Sequence, residues 1–278
     1  MSLVSELGET ATESDAPRTP AGRRTDVTLT ISGLTIAAIL VLWSLAARLE
    51  LVSPIFLPSP LTVLASLASV ATTGFVDSTL AQHTLASLGR IFGALAAAIV
   101  IGVPAGIAIA ASRIGKGILD PVVEFLRPLP PLAYLPLIII WLGIGEASKI
   151  TVIALAMLPP IIISTAAGVR SASKDHVNAA RSFGASRWQV LRHVILPGAV
   201  PSILTGTRIA LGAGWSTLVA AELIAATRGL GFMIQSAAQF LVTDIVIAGI
   251  FVIATIAFLF ELVARLAERI LVPWATHR

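Results

Sequence analysis

Cysteine is absent from this 278-residue chain, tyrosine occurs once, and only 12% of the residues carry a charge. Without a thiol there is no disulfide framework, no thiolate metal site and no cysteine nucleophile. Charge at about half the ~25% typical of soluble domains leaves too little polar surface for a globular protein in water. Catalytic patterns are missing as well. Gly143 to Lys149 (GIGEASK) has the wrong spacing for a phosphate-cradling loop, and Gly115-Lys116-Gly117 lacks the upstream glycine. The four histidines are scattered, with no clustered metal ligands, and no span pairs two carboxylates. No catalytic residue, metal or cofactor is expected.

What the chain does have is apolar runs, with 56% of its residues hydrophobic. Six runs are long enough to cross a hydrocarbon layer of ~30 Å. They are Val27 to Ala47, Ile91 to Ser112, Pro128 to Gly145, Ile150 to Val169, Gly198 to Ala221 and Ile245 to Ala264. The first run is too long for the ~7–15-residue core of a signal peptide. A seventh, Ser53 to Val76, begins with Pro54, Pro58 and Pro60. It then repeats Thr62, Ser66, Ser69 and Thr73 at helical spacing, which predicts an interfacial amphipathic helix. Residues 1–26 are polar and read as a disordered cytosolic tail, leaving 27–278 as the transmembrane domain.

Charge placement orients the chain. With six spans and the N-terminus inside, 15 of the 19 Lys and Arg fall on the cytoplasmic side, leaving Arg48, Arg90, Lys149 and Arg228 outside. Lys and Arg favour cytoplasmic loops, so both termini are expected in the cytoplasm. The basic net charge of +4 then reflects membrane orientation and not nucleic-acid binding.

The loop between spans four and five, about 171–197, is too long for a hairpin and carries periodic apolar residues. Asp175 to Ile203 reads DHVNAARSFGASRWQVLRHVILPGAVPSI. Two short helices turning at Gly184 account for it. Ala179 and Ala180 allow close approach, Gly184 permits a turn that a Cβ opposes, and Pro197 opens span five.

This segment resembles the E-A-A-x3-G-x9-I-x-L-P loop of binding-protein-dependent ABC importer permeases. Ala179, Ala180, Gly184, Leu196 and Pro197 match at the same spacing. Val194 stands where the family has Ile, and Asn178 where it has Glu. RPLPPLAYLPLIIIWLGIGEASKI (Arg127 to Ile150) and GWSTLVAAELIAATRGLGFM (Gly214 to Met233) are similar to the sulfonate, nitrate and taurine branch.

The resemblance implies an all-α membrane protein of the type I importer permease fold: six transmembrane helices with a cytosolic coupling-helix loop between spans four and five. It implies a permease subunit in the bacterial inner membrane, multi-pass, carrying a small organosulfonate, taurine first. The implied partners are two copies of an ABC ATPase, a second permease copy in a homodimer, and a periplasmic or lipid-anchored solute-binding protein. ATP hydrolysis then belongs to the separate subunit. Ala179, Ala180, Gly184, Arg187, Val194, Leu196 and Pro197 are the implied ATPase-coupling residues.

Other residues admit two readings. Prolines at 128, 130, 131 and 136 break the third run, so Pro130 and Tyr134 line a path or belong to a kinked, packed helix. Arg90, Arg208 and Glu222, charges within or at the ends of spans, face a pore or snorkel to the interface. Trp215 and Ser216, flanked by Gly212 and Gly214, serve packing or solute contact. Gly102 and Gly106 read as a helix-packing pair. Trp43, Trp141 and Trp274 suit interfacial anchoring. The competing function is a stand-alone secondary transporter or channel; no charge cluster for ion coupling is evident within any one span.

Overall fold

The computed structural model describes residues 22–272. The anchor expected at Trp274 and most of the tail, residues 1–21, lie outside them. The chain divides into two units, 1–52 and 53–278.

Among its described residues the first unit carries α1 (Gly22–Arg48), whose segment Thr30–Arg48 is long and apolar enough to cross a membrane. The helix begins at Gly22, within the segment 1–26 that the sequence suggests as tail.

The second unit begins with α2 (Pro60–Thr72), where Ser59 caps the first turn and Pro60 takes the first helical position. At 13 residues, ~20 Å, α2 is too short to span, in line with the amphipathic reading. Its polar stripe meets protein, however. Ser66 donates a hydrogen bond to Asp244 at the start of α11 (Thr243–Leu271).

Helix α3 (Leu80–Ala111) opens with a reciprocal cap between Thr79 and Gln82. α6 (Glu146–Arg170) and α9 (Leu196–Ala225) complete a tightly packed trio with it, and α6 lies between the other two. Small residues permit the approach. A Cβ at Gly102 or Gly106 of α3 would lie 2.9 Å from Ile161 Cγ2 or 2.6 Å from Thr165 Cβ. A Cβ at Gly206 of α9 would lie 2.4 Å from Ser164 Cβ. The glycine pair of α3 thus packs against α6 of its own chain. Ile91, Ala98, Ile153, Met157, Ile161 and Leu218 fill the core between the three. A second cluster, around Leu230, Met233 and Ala237 of α10 (Leu230–Gln239), joins α10 to α2 and α11.

Five helical runs among the described residues are long and apolar enough to cross a membrane: Thr30–Arg48, α3, α6, Arg187–Ile224 and α11. The expected third crossing, Pro128–Gly145, is not a single helix. α4 (Arg113–Leu126) ends before Pro128, a short 3-10 turn spans Pro131–Ala133, and α5 (Leu135–Leu142) has eight residues. Prolines at 128, 130 and 131 each lack the N–H that would continue α4, and their rings oppose a helical predecessor. The other spans run longer than the apolar runs suggest, because α3, α6, α9 and α11 continue through Arg90, Lys149, Glu222 and Arg265.

Candidate functional site

Three features of the second unit bear on function: an exposed elbow, a proline-lined cavity and a buried ionic cluster.

The elbow consists of α7 (Lys174–Ser182) and α8 (Arg187–Val190), joined by Gly184 at φ +82°. That backbone conformation is unfavourable for any residue with a Cβ, which explains glycine here. Ser186 and Gln189 cap α8 reciprocally. A π turn over Leu191–Ile195 then leads into α9 at Pro197, which cannot donate to the carbonyl four residues back. Ala179 and Gly184 are exposed, Ala180 is half-buried, and nothing lies within 4 Å of a Cβ built on Gly184. Arg187 and Pro197 are exposed, whereas Val194 and Leu196 are half-buried. Phe183 and Trp188 flank the turn at 93% and 65% exposure. Two large apolar side chains held in the open beside a fixed turn make a contact surface. In the sequence Phe183 reads as part of an apolar period, and Trp188 carries no signal of its own.

The cavity, about 520 Å³, lies among the residues after α4, the middle of α6 and α9. Tyr134 and Ser216 line it with Arg127, Leu155, Ala156, Pro159, Pro160 and Thr217. Its lining includes Leu129 and Pro131 but not Pro130. Three other candidates point elsewhere. Trp215 is buried against Phe260 of α11, ring centroids 5.9 Å apart. Arg208 pairs with Glu261 and Glu268 of α11, each at 3.3 Å. Glu222 belongs to the ionic cluster.

That cluster decides against the snorkelling reading of Arg90 and Glu222, since both side chains are buried inside the bundle. Arg90, only 4% exposed, donates from Nη1 to Glu222 at 2.6 Å and to the Arg228 carbonyl at 2.7 Å. Its Nε and Nη2 grip both oxygens of Glu146 at 2.6 and 2.8 Å, the planar fork geometry special to arginine. Lys149 donates to Glu146 at 2.8 Å. Buried Glu222 also accepts from Ser87 at 2.8 Å and from the Gly231 N–H at 2.8 Å. Ser87 in turn accepts from the Leu230 N–H. His83 donates from Nε2 to the Phe75 carbonyl and accepts from the Gly229 N–H at Nδ1. Two cations and two anions from three helices thus neutralise one another, with only Glu146 substantially exposed, at 59%. Burial without such pairing costs several kcal/mol per ion, so these charges settle on each other and not at the interface. With Glu222 saturated by donors from α3 and from the turn before α10, the cluster is a clasp between helices.

A family model described as "binding-protein-dependent transport system inner membrane component" matches residues 98–273. The taurine transport system permease protein TauC of Escherichia coli K12 is 58% identical over 258 residues, 92% of each chain. A second relative from that organism, SsuC, is named for aliphatic sulfonate transport. It is 38% identical over 85% of this chain and 88% of its own length. Among solved structures, an inward-facing form of the MetNI methionine ABC transporter superposes with TM-score 0.58 at 20% identity, covering 69% of this chain and 95% of that one. An amino acid ABC transporter gives 0.56 at 16%, covering 76% and 96%. These likenesses establish the fold. The family match, together with extended identity to two transport permeases, places this chain among the inner-membrane permease components of binding-protein-dependent transport systems.

Proposed function

We propose that this chain forms the translocation pathway of an ATP-driven importer for a small organosulfonate, with taurine as the solute, delivered by a solute-binding protein. The observation that carries the solute is the 58% identity to TauC over 92% of both chains. In this reading two copies pair in the inner membrane with both termini cytoplasmic, and the broken run Pro128–Gly145, with α5 inside it, makes the sixth crossing. Its interrupted backbone is tolerable at membrane depth where protein or a watery cavity satisfies the freed groups. Each copy seats its α7–α8 elbow in a separate ATPase subunit through Ala179, Ala180, Gly184 and Arg187, with Val194, Leu196 and Pro197 linking that contact to α9. The exposed Phe183 and Trp188 supply apolar anchors for the docking. Closure of two ATPases on ATP then moves α9, and with it one wall of the cavity formed by Ser216 and Thr217. ATP chemistry stays with the partner.

The test is co-purification of the tagged chain from its native membrane beside a Gly184→Trp variant. A stoichiometric ATPase should accompany the native chain and be lost with the variant. Taurine-loaded binding protein should stimulate hydrolysis by the native complex. Full retention of the ATPase by Gly184→Trp would sink the coupling assignment. Stimulation by a non-sulfonate solute alone would sink the solute.

A further inference from the structure

We infer that the permease carries its own solute site in the cavity between α6 and α9, built for a small molecule with an anionic group at one end and an ammonium at the other. The inference rests on the importer reading above and adds to it a site within the membrane subunit itself.

The lining of the cavity combines two chemically distinct kinds of group. Arg127 is the charged residue of its lining and is exposed, so its guanidinium can pair bidentately with a sulfonate or carboxylate. The opposite character comes from α6. Pro159 and Pro160 lie inside that helix and have no N–H, so the carbonyls of Leu155 and Ala156 lose their usual partners four residues on. Both of those residues line the cavity. From α9, Thr217 and Ser216 donate their hydroxyl protons to the carbonyls of Ala213 and Gly212, at 2.9 and 3.4 Å, which leaves oxygen lone pairs available. Two uncapped carbonyls and two acceptor hydroxyls suit an ammonium, because acceptors buried without a donor are costly. The volume of about 520 Å³ falls within the ~300–1,000 Å³ of small-molecule sites. It admits a molecule as small as taurine together with water.

The test uses the assembled importer in lipid nanodiscs, with the binding protein omitted and radiolabelled taurine or ethanesulfonate as the probe. Ethanesulfonate keeps the anion and lacks the ammonium. Saturable taurine binding at one site per permease chain is expected. Arg127→Gln should weaken both probes by about tenfold, the loss of one charge-assisted interaction, and Arg127→Lys should restore part of it. Pro159→Ala with Pro160→Ala returns two N–H donors to α6. It should weaken taurine several-fold and leave ethanesulfonate unchanged, a split that a merely distorted helix would not produce. Ser216→Ala, which leaves the helix backbone alone, should shift the probes in the same direction.

A complex that responds to taurine-loaded binding protein yet binds no taurine itself would overturn this site while leaving the importer reading intact. Equal loss of both probes in the proline variant would overturn the assignment of the two kinds of group. If no sulfonate-loaded binding protein stimulates hydrolysis while the cavity still binds taurine through Arg127, the site stands and the solute reading falls.

Discussion

Arg90 and Glu222, 132 positions apart in the sequence, meet at 2.6 Å inside the bundle, where both side chains are almost wholly excluded from solvent. The pair ties α3 to the end of α9. Through the Arg228 carbonyl and the Gly231 N–H it also fixes the turn that leads into α10. Removing Arg90 leaves Glu222 without a cation, and removing Glu222 leaves Arg90 and Lys149 to share the one carboxylate of Glu146; losing one partner of a buried pair typically costs about 3–5 kcal/mol. Arg90→Met and Glu222→Gln are therefore each expected to lower the thermal midpoint of the detergent-solubilised protein sharply. The double replacement should recover part of the loss, since it leaves Glu146 paired with Lys149. Additive losses in the double variant would mean that the two charges do not stabilise one another.

Gly229 lies at φ +137°, and a Cβ there would come within 2.4 Å of the Glu222 carboxylate. Gly229→Ala combines an unfavourable backbone with a clash against the clasp, and should destabilise by about 1–3 kcal/mol. Gly89→Ala, in α3 where nothing lies within 4 Å, is the matched control. It should be neutral or stabilising by up to about 1 kcal/mol through helix propensity. Thermal midpoints measured side by side check both, and equal behaviour would show that the turn tolerates a side chain.

Phe183 and Trp188 bury little surface in the permease itself, so their loss should leave its stability unchanged within about 0.5 kcal/mol. The expected effect lies elsewhere: Phe183→Ala with Trp188→Ala should release the ATPase on size-exclusion chromatography. Wild-type retention of the ATPase by the double variant would show that docking does not use these anchors.

Asp244, at the start of α11, accepts the Ser66 hydroxyl and so holds α2 against the bundle. Asp244→Ala should cost about 1–3 kcal/mol and make the chain between 53 and 79 more sensitive to limited proteolysis. An unchanged cleavage pattern would indicate that apolar packing of Val63 and Val70 alone holds α2 in place.

Much of the elbow is legible in the sequence because its determinants are local. Gly184 is there for a left-handed turn, Ser186 and Gln189 cap α8, and Pro197 sets the start of α9; none of these needs a distant partner. The cluster is half legible. Charge placement puts Arg90 and Lys149 on the outer side, and Glu146 and Glu222 bound the same outer ends of their runs, so two charges of each sign share one level. Treating each charge as the edge of a span hides that pairing and shortens α3, α6 and α9. Pro159 and Pro160 read as part of an ordinary apolar run, and their two uncapped carbonyls become meaningful only with Arg127 and Ser216 around the same cavity.

The sequence by itself determined a helical membrane protein, the turn chemistry of the elbow and the family resemblance. Hydropathy, helical period and turn chemistry are properties of neighbours along the chain. Which charges lie inside, where α4 gives way to α5, and which of Pro130, Tyr134, Arg208, Trp215, Ser216 and Glu222 reach a cavity were decided only by tertiary structure. Those outcomes depend on pairing between helices tens of residues apart, where burial makes the energy of a charge or a carbonyl depend on what faces it.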